Sequence, residues 1–420
     1  MRNPTAMISP GAPGGAHDGQ PEPARPPVPP ASAPAREARG AAASGTDEVR
    51  PRVEKALRDY VAERCAEAED IDGTFGAQLA AGISRFALRG GKRTRAGFLW
   101  WGWRAAGGAP HGTGAPAVLR TAAALELLQT CALVHDDLMD DSALRRGRPA
   151  LHVDFARRHR QDGMVGRPET YGTSVAVLAG DLALAWADDL FTESLPDDAA
   201  LRREAQRAWR AMRTETVAGQ FLDLHNQAAG RPSASAALRV AYLKSALYTV
   251  ERPLQLGAVL GGAGPGLVGA LRSAGRDAGL AFQLRDDLLG VFGDPRSTGK
   301  PAGDDVREGK TTYLVALALE RAEALGDTSA LAVLRGSLGD RTLTPKRLER
   351  FRGVLAGLGV RAAVEERIER LGELAERRLY GVCEDPVVAD RLAAMVRAVA
   401  GMDGAHGVRV AAGPETEARR

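Results

Sequence analysis

Cysteine is scarce in this chain: Cys65, Cys131 and Cys383 are widely separated and odd in number. They make neither a disulfide framework nor a zinc motif, and they fit a reducing, cytoplasmic setting. Net charge is slight, +3 over 420 residues, so the composition points to neither nucleic acid nor a membrane surface as partner. No stretch reads as a membrane span, so an integral membrane protein is not expected, and the N-terminal segment lacks an apolar core of signal-peptide length. Alternating strand patterns, Asn-Gly hairpins and repeats of fixed period are missing. So are Walker and dinucleotide fingerprints and any credible Ser-His-Asp or Cys-His arrangement. Chemistry must therefore come from charge gathered locally.

Residues 1–45 hold ten of the 24 prolines and no Phe, Trp or Tyr. Such a segment buries too little apolar area to offset its ordering entropy, so it reads as a disordered tail. Residues 406–420 read as a second polar tail. Between them, over 46–405, helical periodicity recurs almost throughout. Thr46 or Asp47 can cap a first helix carrying Val53, Leu57, Val61 and Cys65 on one face. Further helices are expected near 75–88, 93–106, 115–140, 173–193, 199–226, 234–260 and 267–292. Others are expected near 311–325, 344–357, 361–380 and 386–401, the last starting at Asp385-Pro386. The pattern predicts an all-α protein: one large helical bundle with functional groups projecting into a central cavity.

Two stretches in that bundle carry opposed charges. In residues 121–152 an apolar helix face (Leu125, Leu128, Ala132) leads to Asp136, with Asp137 and Asp140 beside it and Arg145-Arg146 following. At ~6 Å and an effective dielectric of ~20, each carboxylate pair repels by roughly 3 kcal/mol. Divalent cations relieve that repulsion, and hard oxygen ligands select Mg²⁺ or its relatives. Residues 281–310 repeat the grammar: an apolar helix runs into Asp286 and Asp287, and Lys300 and Lys310 bracket Asp304 and Asp305. Two carboxylate clusters trailed by cations describe a metal-bridged diphosphate site with basic walls. Arg145 and Arg146 can grip phosphate oxygens in bidentate fashion. The run from Arg89 to Arg95 packs four cations around Gly90-Gly91, which suits an anion at a helix start but equally a solvated basic loop. Lys244 with Ser245, and Gln220 with Asp223, lie on mostly apolar helices and are individually ordinary. His135 reads better as a hydrogen-bonded neighbour of the acids than as a ligand.

Over roughly residues 50–400 these motifs together resemble the trans-isoprenyl diphosphate synthases, the polyprenyl synthetase family. The first aspartate-rich motif matches Asp136-Asp137-Leu138-Met139-Asp140 with Arg145-Arg146-Gly147. The second matches Phe282-Gln283-Leu284-Arg285-Asp286-Asp287, continuing to Gly299-Lys300 and Asp305 through Lys310. The Gly-Gly-Lys-Arg-x-Arg motif matches Gly90 to Arg95, the Lys-Thr pair stands as Lys244-Ser245, and Gln129 matches a substrate-contact position. The resemblance implies a Mg²⁺-dependent prenyltransferase joining isopentenyl diphosphate to dimethylallyl, geranyl or farnesyl diphosphate. It implies Asp136, Asp137, Asp140, Asp286 and Asp287 as ligands for three Mg²⁺ ions. Arg145, Lys244, Lys300 and Lys310 would meet the allylic diphosphate, and Lys92, Arg95, Arg146 and Gln129 the isopentenyl one, with Ser245 and Gln283 among the substrate contacts. A homodimer is also implied.

Two positions depart from the pattern: Gly290 stands where a third aspartate is usual, and Ala96 where a proline is. In farnesyl-making members of the family, aromatic residues near the places just before the first motif make a floor that stops growth early. Here those places are Cys131 and Ala132, with Leu128 a turn below, so geranylgeranyl diphosphate is the expected product and geranylfarnesyl or longer the runner-up. A class I terpene cyclase would lack the second aspartate pair and the isopentenyl site, and a non-catalytic synthase-like subunit would have lost one motif.

Overall fold

A computed structural model of the chain describes residues 49–230, 233–294 and 302–402. Both expected tails, Thr46, Asp47 and Lys300 lie outside the described residues. The all-α expectation holds: the described residues form a bundle of helices, and the sole sheet among them is a two-residue ribbon. That ribbon escaped the sequence reading because two residues a side cannot show alternation. It pairs Leu144 with Pro149 and Arg145 with Arg148, turning through Arg146 and Gly147 at φ 52° and 71°.

Most helices start where sequence chemistry dictates. The Asp385 side chain accepts from Val387 N ahead of Pro386, and Thr312 caps Tyr313–Ala324. The first helix, Arg50–Ile71, begins instead after Val49 without a side-chain cap. Two longer helices were absent from the sequence reading, as was the one-turn helix Asp304–Arg307. Leu151–Gln161 buries only Leu151, Phe155, Ala156 and His159 under a basic exterior, and Thr328–Ser337 buries only Ala330, Leu334 and Ser337. Their apolar stripes are too brief to announce a helix, and packing makes them.

The segment read as one helix over 234–260 is in fact three. Between Ala234–Val240 and Arg252–Leu260 the backbone widens into a π-helix, Ala241–Glu251. A π-helix is rare and tends to mark functional ground. Here it carries Lys244, Ser245, Tyr248 and Thr249. Two glycines let neighbouring helices press against it. A Cβ at Gly219 would come within 2.7 Å of Lys244 Cα, and one at Gly279 within 2.8 Å of Ala246 Cα.

Helix Ala115–Met139 packs most heavily on Pro168–Glu193, and Pro265–Phe292 on Val360–Val382 and the π-helix. By length and composition alone Ala115–Met139 could cross a membrane, contrary to the sequence reading, but 67% of its most apolar window is buried inside the bundle. Its apolarity is core packing. One buried pair ties its middle to the Gly-Gly loop: Arg93 donates to Glu126 Oε2 at 2.7 Å and to Ala87 O at 3.0 Å. Both side chains are almost fully buried, and truncating Glu126 would leave Arg93 only the longer contact to Glu54, at 3.6 Å. Glu126→Ala should therefore cost about 3–5 kcal/mol in urea unfolding. A loss below about 1 kcal/mol would place the pair among inconsequential surface bridges.

Candidate active site

The carboxyl ends of Ala115–Met139 and Pro265–Phe292 open onto one cavity of about 740 Å³, within the usual range for a ligand site. Its wall includes Gln129, Ala132 and Asp136 of the first helix and Phe282, Gln283, Asp286 and Asp287 of the second. The π-helix adds Lys244, Ser245, Tyr248 and Thr249, the ribbon adds Arg145, and the turn after the second helix adds Asp305 and Lys310. Residues from both acidic stretches and from the Lys-Ser pair thus meet at one place, while Asp137 and Asp140 are not among the wall residues.

Around the first cluster, acids and bases interleave. Arg145 donates from Nε to Asp137 Oδ1 at 2.7 Å and from Nη2 to Asp136 Oδ2 at 3.1 Å. Lys244 Nζ lies 3.2 Å from Asp136 Oδ1 and donates to Asp223 Oδ2 at 2.9 Å. Lys310 Nζ lies 2.7 Å from Asp140 Oδ2 and 2.8 Å from Glu308 Oε2. Burial pushes Asp136 up, but Lys244, Lys310 and Arg145 outweigh it and hold the carboxyl below the usual range. Asp140 goes the other way, raised by burial and by the charge on Asp136 against the pull of Lys310. Burial opposes the charge on Lys244 and Lys310, yet the surrounding carboxylates raise both and keep them cationic.

In the second cluster Asp287 is 5% exposed and accepts from Gln283 Nε2 at 2.8 Å. Burial drives it well above the ordinary carboxylate range; the Gln283 bond resists, while the charges on Asp305 and Asp286 add to the rise. A carboxylate held so uncomfortably is one that a cation would relieve.

The donors fit Mg²⁺ in a particular way. Among the described residues no three His, Cys, Asp or Glu side chains converge closely enough to cage an ion. Mg²⁺ seldom needs such a cage, because it binds through one or two carboxylates and keeps water or substrate phosphates in its other places. Asp136 Oδ1 and Asp140 Oδ2 are buried and accept no well-aligned hydrogen bond, with Lys244 and Lys310 as their counter-ions. The Asp136 carboxylate, at the wall of a cavity lined with cations, suits a metal shared with a polyanion.

Arg95 reaches the same cavity from the helix Thr94–Ala105. Its guanidinium donates to Thr249 Oγ1 at 3.0 Å and lies 4.2 Å from the Tyr248 ring centroid. Gln129 Oε1 is buried there and accepts no hydrogen bond. Lys92 and Arg146 are exposed and stand outside the cavity wall, where the Arg146 guanidinium donates to Gly90 O. The structure thus brings Arg146 to the Gly-Gly loop but leaves both cations on the rim. Leu128, Cys131 and Ala132 line the cavity. His135 also behaves as anticipated: Nε2 lies 3.3 Å from Val177 O and Nδ1 3.8 Å from Cys131 Sγ.

Sequence reasoning missed the partners that set these groups: Glu308 for Lys310, and Tyr248 and Thr249 for Arg95. Asp223, noticed but not placed, positions Lys244. Only their common spacing with an apolar face could have flagged Asp223 and Thr249. Glu308 gave no signal.

Comparison with known proteins identifies the family. A family model for polyprenyl synthetase matches residues 77–342, more than half of the chain. A short chain isoprenyl diphosphate synthase of Methanothermobacter thermautotrophicus is 34% identical over 262 residues, 62% of this chain and 73% of that protein. A geranylfarnesyl diphosphate synthase of Aeropyrum pernix is 34% identical over 204 residues, 48% of this chain and 58% of its own length. Among solved structures, the geranylgeranyl pyrophosphate synthase of Corynebacterium glutamicum, complexed with isoprenyl diphosphate and magnesium, is 39% identical with a TM-score of 0.77. That match covers 83% of this chain and 98% of the other. The chain belongs to the polyprenyl synthetase family.

Proposed function

We propose that the protein is a Mg²⁺-dependent prenyltransferase that elongates an allylic diphosphate with isopentenyl diphosphate, and that its main product is geranylgeranyl diphosphate. The observation that carries this reading is the meeting of two carboxylate clusters, interleaved with Arg145, Lys244 and Lys310, over one apolar-walled cavity. Asp136, Asp137 and Asp140 on one side and Asp286 and Asp287 on the other would hold the metal. Mg²⁺ bound there supplies Lewis-acid stabilisation of charge on the departing diphosphate.

The protein's own groups do the rest. Arg145, Lys244 and Lys310 neutralise the allylic diphosphate oxygens as the carbon–oxygen bond breaks. Leu133 and Phe282 keep water from the allylic carbocation. Arg95 and Gln129 in the wall, with Lys92 and Arg146 on the rim, hold isopentenyl diphosphate so that its double bond meets the cation. The new carbon–carbon bond forms, a proton leaves for the released diphosphate, and the chain is five carbons longer. No dedicated protein base is required.

Incubation with farnesyl diphosphate, isopentenyl diphosphate and Mg²⁺ should give a longer prenyl diphosphate, and EDTA should abolish turnover until Mg²⁺ is restored. Cyclised products, or none from folded protein with Mg²⁺, would overturn the reading.

The two diphosphate sites should separate kinetically. Each charge-assisted contact is worth about 1.5–3 kcal/mol, or roughly tenfold to a hundredfold in affinity. Arg95→Ala should raise KM for isopentenyl diphosphate by at least about tenfold, and Lys92→Ala should do so less, because Lys92 is on the rim. Lys244→Ala should instead raise KM for the allylic primer. Equal effects on both substrates in all three variants would mean that the cations are wrongly divided.

A further inference from the structure

The π-helix Ala241–Glu251 serves both halves of the cavity, and its register is what allows this. In an α-helix two residues five apart, such as Lys244 and Thr249, would point about 140° away from each other. The i→i+5 bonding of a π-helix stacks them instead, and both line the cavity. Lys244 lies there between Asp136 and Asp223, and Thr249 accepts from Arg95 at 3.0 Å. A register so seldom adopted has to be imposed by its surroundings.

The surroundings grip hardest at its last residue. Glu251 is fully buried and meets two arginines of Pro265–Phe292, the helix that also carries Asp286 and Asp287. Arg272 Nε donates to Glu251 Oε1 at 2.9 Å, and Arg276 Nε to Oε2 at 3.1 Å. Gly275, on the same helix face, lets the two backbones touch: a Cβ there would lie 2.8 Å from Glu251 Cα. The Arg276 guanidinium also lies 5.7 Å from the ring centroid of Tyr242, so one side chain spans the π-helix from its first turn to its last. One residue on, Arg252 binds Glu215 of Ala199–Ala229 with two prongs, Nε to Oε2 at 2.8 Å and Nη2 to Oε1. None of these five charged residues lines the cavity. A buried ion pair is weak evidence for stability, and its best-attested use is to fix one register among several.

We propose that Glu251 is a positioning residue for both diphosphate sites. Its clamp on Arg272 and Arg276 holds the π-helix in register against the second acidic helix, and so keeps Lys244 and Thr249 on the cavity face together. This role rests on reading the cavity as a diphosphate site, and it falls to a residue that touches no substrate.

A double-mutant cycle read in KM for the allylic primer tests it. Glu251→Gln keeps the shape and removes the charge, and the two arginines, each at least a third exposed, can turn to water. The variant should raise that KM by about tenfold, the lower end of what one charge-assisted contact is worth. Lys244→Ala should raise it as well, and the double variant no further than Lys244→Ala alone, because on this substrate Glu251 acts through Lys244. KM for isopentenyl diphosphate should also rise in Glu251→Gln, through Thr249 and Arg95. Calorimetric titration of inorganic pyrophosphate in the presence of Mg²⁺ should repeat the allylic pattern in Kd, without turnover. A merely structural residue would lower the urea midpoint, leave both KM values of the folded protein alone and add its effects to those of Lys244→Ala. Should Glu251→Gln fail to fold, the same cycle runs on Arg276→Gln, at a position nearly half exposed, with a smaller rise in the same direction. An unchanged allylic KM in the folded variant, or additive effects in the double variant, would overturn the role. If wild type does not elongate a primer with Mg²⁺, the reading of the cavity fails. If it does and the variant matches it in both KM values, only the clamp fails.

Discussion

Asp136→Asn should lower kcat by about 10³-fold, the upper end of what one preorganised charge contributes at a reaction centre, while leaving the helical circular dichroism unchanged. Asp136 is the acid that both Arg145 and Lys244 address, at 3.1 Å and 3.2 Å, and its Oδ1 accepts no aligned hydrogen bond. On the proposed reading, losing its charge removes a metal donor and releases both cations from the geometry that would meet a diphosphate. The fold should tolerate the change because Lys244 keeps Asp223 at 2.9 Å and Arg145 keeps Asp137 at 2.7 Å. Asp137 is a poorer probe. Its side chain is 1% exposed and anchors Arg145, so Asp137→Ala would leave a buried guanidinium and mix lost stability with lost chemistry. Asp286→Ala, at an exposed position on the opposite cluster, should match Asp136→Asn in turnover without a stability cost. Steady-state kinetics beside urea unfolding separates these cases. Unchanged kcat in Asp136→Asn would remove the first cluster from the mechanism.

Why so much of this was legible follows from where the information lies. Long helices announce themselves by period, and Ala115–Met139 and Pro265–Phe292 fall within a few residues of their expected limits. Their terminal aspartates stand out because like charges at the end of an apolar stripe need a reason. Contacts far apart in sequence carry no such mark. Nothing near Glu308 says that it will meet Lys310 and also accept from Ser142, 166 residues away. Nor could periodicity show that 234–260 contains a π-helix, since the packing against Gly219 and Gly279 is what places Lys244 and Thr249 together. Nor does the sequence show that a Cβ at Gly290 would meet the Asp305 carboxylate.

With geranylgeranyl diphosphate as the proposed product, Ala132→Phe should shift it to farnesyl diphosphate while the enzyme stays active. Below Asp136 the cavity is lined by Ala132, Cys131 and Leu128, faced by Leu184 of Pro168–Glu193 and by Thr214 and Val217 of Ala199–Ala229. Ala132 lies one turn, about 5.4 Å, beneath Asp136, and Leu128 another turn beneath that. Leu127, its neighbour in the chain, is fully buried away from the cavity, so Leu128 is the bulky residue that a growing chain meets. Helical side chains lean toward the helix N-terminus. A phenyl ring at 132 would therefore project down over Leu128 and away from the metal site, filling the space beneath a fifteen-carbon chain without disturbing Asp136. Leu128→Ala should do the reverse and admit products longer than geranylgeranyl. Chromatography of dephosphorylated products, from farnesyl diphosphate with excess isopentenyl diphosphate for wild type and Leu128→Ala and from geranyl diphosphate for Ala132→Phe, reads both shifts. If wild type already stops at farnesyl, or if both variants remain active with an unaltered product, then this helix face does not set chain length and the floor lies on the facing helices instead.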